Sequence, residues 1–227
     1  MKGLDEMNAM KVSVVAAVAA LAGCTCCGPK GESLLGERLE KADYDPKVWY
    51  FDKDGSLTAN ADQAIWTKCP GWENFELDLE YNLDPAANSG ILIYCLDKKN
   101  WIPNAVEVQL VDDAADKWAK DPAYMKTGSL YGHRAPLATP QKPAGQWNRA
   151  VLTAQGSLLT LSINGVVVQD KVDLSKMTDA KKNPDGTAIP PWLSRPWADL
   201  PTKGFIGLQG KHADATVRFR NIKVRKL

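Results

Sequence analysis

Two histidines in 227 residues, five cysteines with three of them crowded at positions 24, 26 and 27, and a net charge of +1 deprive this chain of several common chemistries. Lysine and arginine are scattered and nearly matched by aspartate and glutamate. No basic face is therefore expected to neutralise a phosphate backbone, and nucleic acid is not an expected partner. With so few thiol and imidazole groups a structural zinc site is not expected, and no acidic loop has calcium-binding spacing, so no metal is assigned. No Gly-x-Gly-x-x-Gly fingerprint follows a strand-like run, and no cofactor is expected. The apolar run over 12–22 is too short to span a bilayer. Helical periodicity is weak everywhere except near residues 113–120, and no obvious pair of opposed carboxylates stands out.

What is present begins with that apolar run. Lys11 precedes it and Leu21-Ala22-Gly23-Cys24 follows it, so it has the length of a signal-peptide core and ends in a sequence resembling the bacterial lipobox. This predicts a lipoprotein signal over residues 1–23 and a lipid-anchored Cys24. A plain signal peptide or a buried apolar helix is the alternative. Met10 makes a better origin for the signal than Met1, because Asp5 and Glu6 then fall outside it. Thr25 rather than Asp after Cys24 points to the outer membrane, and the bacterial membrane is then a partner through the anchor. Residues 24–46 are polar and read as a flexible tether, with one domain over 47–227. Whether Cys69 and Cys95 pair or stay as two thiols is open at this stage.

From Trp49 onward the pattern has period two. Phe75, Leu77, Leu79 and Tyr81 alternate with Glu76, Asp78, Glu80 and Asn82, which predicts a strand with one buried face. Gly90–Leu96 is nearly all apolar, as expected of a central strand covered on both sides. Further strands are predicted over 106–111, 149–154, 158–163, 166–169, 205–209 and 215–224. Asn164-Gly165 between two of them is a hairpin signal, since both residues tolerate positive φ. Many short strands separated by turns predict an all-β, two-sheet antiparallel β-sandwich of the jelly-roll, concanavalin A-like kind. Two long segments interrupt it, 112–143 and the proline-rich 181–203, and both are expected to fold over one face.

The stretches Gly145-Gln-Trp-Asn148 and Leu159-Thr-Leu-Ser-Ile-Asn-Gly165 resemble concanavalin-like and laminin-G-like sandwiches. Asn88-Ser-Gly-Ile91, Val106–Asp113, Thr127-Gly-Ser-Leu-Tyr131, Gly204–His212 and Val217–Ile222 follow one another in an order similar to the 3-keto-disaccharide hydrolase domain family. That resemblance covers about residues 48–227. It implies a carbohydrate substrate, namely a glycoside oxidised at C3, and a separate oxidoreductase that supplies it. Where the family often has an arginine after the Asn-Ser-Gly-Ile strand, this chain has Ile93-Tyr94, which would pass that sugar contact to Tyr94.

A C3 ketone acidifies the C2 proton, so cleavage by elimination needs a base, an acid and donors for a developing enolate. Glu107 and Gln109 share the strand face opposite Val106, Val108 and Leu110. That face is either a solvated strand surface or a site, and Glu107 is the first catalytic candidate. His212, at the end of the glycine-rich Gly204–Lys211 run, is the second, with an exposed turn histidine as its plainer reading. Gln209 and Lys211 point from the same run. Tyr131, His133 and Arg134 form a third cluster, and Asn88 and Trp192 are further substrate-binding candidates. Trp101, Trp118, Trp192 and Trp197 lie in or near the long loops, where sugar stacking competes with loop packing. The leading expectation is an envelope-anchored hydrolase or lyase of 3-keto-glycosides. A non-catalytic carbohydrate-binding lipoprotein is the alternative, and a laminin-G-like adhesion domain a weaker third.

Overall fold

The computed structural model describes residues 31–227. The predicted signal over 1–23 and the Cys24 anchor lie outside them.

The sandwich is built from thirteen antiparallel strands in two sheets. Five short strands come first: β1 (Glu32–Ser33), β2 (Ala42–Asp43), β3 (Trp49–Phe51), β4 (Leu57–Ala59) and β5 (Ile65–Thr67). The long ones follow: β6 (Phe75–Leu83), β7 (Asn88–Cys95), β8 (Val106–Val111), β9 (Asn148–Gln155), β10 (Leu158–Ile163) and β11 (Val166–Asp173). Then come β12 (Phe205–Leu208) and β13 (Val217–Lys226). One sheet runs β11-β10-β9-β6-β13-β4-β3, with β1 also paired to β13; the other runs β2-β5-β12-β7-β8. One α-helical turn, α1 (Asp116–Ala119), lies within residues 113–120, the stretch whose helical periodicity stood out.

The alternation along β6 is what separates inside from outside. Phe75, Leu77, Leu79 and Tyr81 are buried in the core. On the other face Glu76 meets Arg225, Asp78 meets Arg149 and Glu80 meets Arg220 across the neighbouring strands. Asp78 is itself buried, whereas the other two pairs are partly exposed and contribute about 0.2–1 kcal/mol each, so the apolar face decides the register. Asn164 and Gly165, at φ 51° and 81°, form the turn between β10 and β11.

The expected tether is corrected over its second half. Leu34, Leu35, Leu39 and Ala42 are buried in the main core, and β1 and β2 each pair with a sheet. Residues 32–46 therefore belong to the folded domain, because these leucines share its core with Trp49 and Phe219. Cys69 is exposed, Cys95 is buried, and neither is paired.

The five-stranded sheet is covered on both faces, which explains the continuous apolar run of β7. Ile91, Ile93, Val106, Val108, Ile206 and Leu208 point into the main core. On the opposite face Trp66, Leu92, Cys95 and Ala105 form a second apolar cluster with Trp101 and Phe205 against it. That face continues past the cluster into the polar cleft described next.

Candidate functional site

β8 brings Glu107 and Gln109 to the outer face of the five-stranded sheet, as period two requires. Beside them, Gly90 of β7 leaves room for the acid: a Cβ there would lie 2.4 Å from Glu107 Oε1. The chain beyond β12 is carried over β7 by two backbone bonds. Gln209 N–H donates to the Gly90 carbonyl at 2.9 Å, and His212 N–H to the Asn88 carbonyl at 3.2 Å. Gly210 makes this path possible, because a Cβ would sit 2.4 Å from the Ala61 carbonyl oxygen.

Residues 128–131 extend the sheet beyond β8. The Gly128 and Tyr131 amides donate to the Gln109 and Glu107 carbonyls at 2.9 Å each, which sets Tyr131 beside Glu107. The proline-rich segment then docks on this extension. Asn183 Nδ2 donates to the Gly132 carbonyl at 3.1 Å, and His133 stacks on Trp197 at 3.7 Å between ring centroids. Trp192 follows from that docking and lines the same cleft as Tyr131.

The result is a cleft of about 330 Å³ lined by Asp62, Asn88, Trp101, Ile102, Glu107, Gln109, Tyr131, Trp192, Gln209 and His212. Its size falls in the range of small-molecule sites, about 300–1,000 Å³. Gln109 and Gln209 are buried, yet each side-chain amide oxygen lacks a partner within the protein. Buried polar groups are nearly always bonded, so two unpaired amides in one cleft are suited to a polyhydroxylated ligand.

Its electrostatics separate two proton carriers. Burial pushes the Glu107 carboxyl up to about 8, offset in part by His212 and reinforced by Asp62. His212 is raised from its usual range, chiefly by its hydrogen bond to Asp62, with Glu107 contributing as well. The His212 Nδ1 to Asp62 Oδ2 distance is 2.6 Å. An aspartate held on one imidazole nitrogen fixes the tautomer, leaves the other nitrogen for chemistry and favours the imidazolium. Burial and the Glu107 charge raise the Tyr131 phenol too.

The structure thus gathers Glu107, Gln109, Gln209, His212, Asn88, Tyr131 and Trp192. Four expected contacts are corrected. Tyr94 is fully buried, and its single hydroxyl proton is shared between the Glu73 and Gly156 carbonyl oxygens, 2.9 and 2.8 Å away; it packs edge-on to Phe75 in the core. His133 is buried against Trp197, with Nδ1 bonded to the Tyr131 carbonyl at 2.9 Å, and burial lowers it to about 4. Arg134 is exposed and Lys211 half-buried, and neither lines the cleft. Beyond Leu208 the ladder ends and the Lys211 amide turns to the Ala61 carbonyl, so alternation no longer governs its side chain. Of the loop tryptophans, Trp101 and Trp192 line the cleft. Trp197 is buried, and the Trp118 indole donates to the Ala86 carbonyl. Asp62 is the site residue that sequence reasoning missed. Among the described residues, no group of three His, Cys, Asp or Glu is placed to hold a metal ion.

No protein of curated function is similar enough to match the chain. A family model, that of the 3-keto-alpha-glucoside-1,2-lyase-like domain, matches residues 31–225. A crystal structure of a candidate glycosyl hydrolase from Parabacteroides distasonis is 48% identical, covering 88% of this chain and 100% of that one, with a TM-score of 0.83. A second candidate glycosyl hydrolase from the same organism is 21% identical over 86% of this chain and 92% of its own, with a TM-score of 0.69, a likeness of fold. Coverage from the first strand to the last settles the classification: the chain belongs to the 3-keto-alpha-glucoside-1,2-lyase-like domain family, a carbohydrate-active, glycoside hydrolase-like group.

Proposed function

We propose that this protein cleaves glycosides whose sugar ring carries a ketone at C3, by elimination followed by hydration. The observation that carries this reading is the convergence of Glu107 with the Asp62–His212 pair in one cleft. Glu107, held near neutrality by burial, is a base strong enough to take the C2 proton that the ketone acidifies. The C2–H electrons form the C1–C2 double bond as the C1–O bond breaks. The His212 imidazolium, supported by Asp62, gives its proton to the departing oxygen. Water then adds at C1 and a proton returns to C2, which completes net hydrolysis. The Tyr131 phenol is a donor for a developing enolate oxygen, the two glutamine amide oxygens accept from sugar hydroxyls, and Trp101 and Trp192 offer flat faces for the ring.

The location follows the sequence. Anchored by lipid at Cys24 in the cell envelope, the domain would be held close to its membrane. From Cys24 to Gly31 the chain reaches at most about 25 Å when fully extended. A separate oxidoreductase has to make the keto sugar.

Incubation with a 3-keto-glucoside tests the reading. Release of the aglycone by the native protein is expected, with a fall of about 100-fold or more in Glu107→Gln and His212→Ala. Binding without turnover would instead establish a carbohydrate-binding module, and unchanged turnover in both variants would remove the assigned roles.

A further inference from the structure

Two cavities meet at one wall of the cleft. The neighbouring one, an open pocket of about 480 Å³, is bounded by the β2–β3 connection, β5 with the residues leading into it, and the loop after β7. Asp62 and Trp101 line both. The second cavity contains charges of both signs, largely matched: Lys98 is ion-paired with Asp43 and lies 4.6 Å from the centre of the Phe205 ring. Trp66 adds an aromatic face. A lining with paired charges, hydrogen-bonding groups and flat rings suits a neutral hydroxylated ring, whose C–H face stacks while its hydroxyls bond to the polar groups. An anionic group would meet Asp43 and Asp62.

The junction coincides with the acid. In an elimination the proton has to reach the glycosidic oxygen, the atom joining the reacting ring to its leaving group. His212 lines the cleft, and its partner Asp62 faces both cavities. With the keto ring over Glu107, that oxygen falls at the junction and the leaving group falls in the neighbouring cavity. Resting on the proposed function, the geometry points to the second cavity as the leaving-group site, built for a neutral hydroxylated group such as a second sugar, with Trp101 serving both sides.

The test compares two substrates, a methyl 3-keto-glucoside, whose methanol needs no second cavity, and a 3-keto-disaccharide. Two variants touch the second cavity alone: Ala64→Phe, which fills it, and Lys99→Glu at an exposed side chain, which adds an unmatched negative charge. The expected result is higher kcat/KM for the disaccharide in the native protein. In the variants the loss on the disaccharide should exceed the loss on the methyl glycoside by about tenfold or more. Turnover of the methyl glycoside reports that each variant is folded, and Lys99→Glu decides the matter if Ala64→Phe does not fold. Equal losses on both substrates, or no preference in the native protein, would overturn the leaving-group site and leave the function standing. Cleavage of neither substrate by the native protein would remove the function and this site together.

Discussion

Glu107 and His212 make opposite demands on pH. Glu107 has to be ionised to accept a proton, so turnover climbs as pH rises toward about 8. His212 has to be protonated to donate one, so turnover declines above its own raised value. The kcat/KM profile is therefore expected to be a bell whose two limbs belong to the pair. Asp62→Asn removes the largest cause of the raised His212 value, so the optimum of the bell moves to lower pH; an unmoved optimum would deny Asp62 its role. His133 gives a separate prediction in stability. Its folded value, about 4, lies below the ordinary histidine value, so the unfolded chain binds the extra proton between about 6.5 and 4. Stability present above pH 6.5 is lost as pH falls through that window, by roughly 3–4 kcal/mol at about 1.4 kcal/mol per unit. Denaturant titrations of His133→Phe should show this acid sensitivity reduced by that amount, and identical pH dependence would contradict a buried neutral imidazole. Glu107 and Gln109 were legible in sequence because alternation on a strand fixes which face they share, and Asn88 entered through its place in the family-like Asn88-Ser-Gly-Ile91 motif. Asp62 was not, since it lies in a turn and gains meaning only through His212, 150 positions away. His133 and Tyr94 misled for a related reason. Aromatic and polar side chains in or near loops serve packing as well as sugars, and only burial tells the two apart.

Long strands announced themselves and short ones did not. β6 and β8 to β11 carry enough residues to show a period, whereas β1 to β5 have two or three residues each, too few to show any. The N-terminal segment with its polar composition was therefore read as tether through residue 46, although its leucines belong to the core. The long loops behaved as elements too. The proline-rich segment is seated on Gly132, whose φ is +73° and whose missing Cβ makes room for Leu193 Cδ1, 2.3 Å from where that carbon would be. Gly132→Ala is expected to lift this segment and Trp192 with it, raising KM about tenfold or more while the sheets keep their melting transition. An unaltered KM would mean that Trp192 is placed by other contacts.

At the scale of the molecule, the two sheets divide the labour. The eight-stranded sheet turns a face of carboxylate–arginine pairs outward. The five-stranded sheet is roofed by loops on its outer face, and the cleft lies there, on a rigid floor with aromatic walls. This arrangement makes the site a property of the whole chain: its lining runs from Asp62 to His212, and no single strand contains it. In the proposed mechanism Glu107 removes the C2 proton before the leaving group departs. Cleavage of a 3-keto-glucoside in deuterated water tests it most directly, with the product's C2 position read by NMR and enzyme-free exchange subtracted. Solvent deuterium is expected at C2 in step with leaving-group release, and neither is expected in Glu107→Gln. Release with the original C2 hydrogen retained would contradict it.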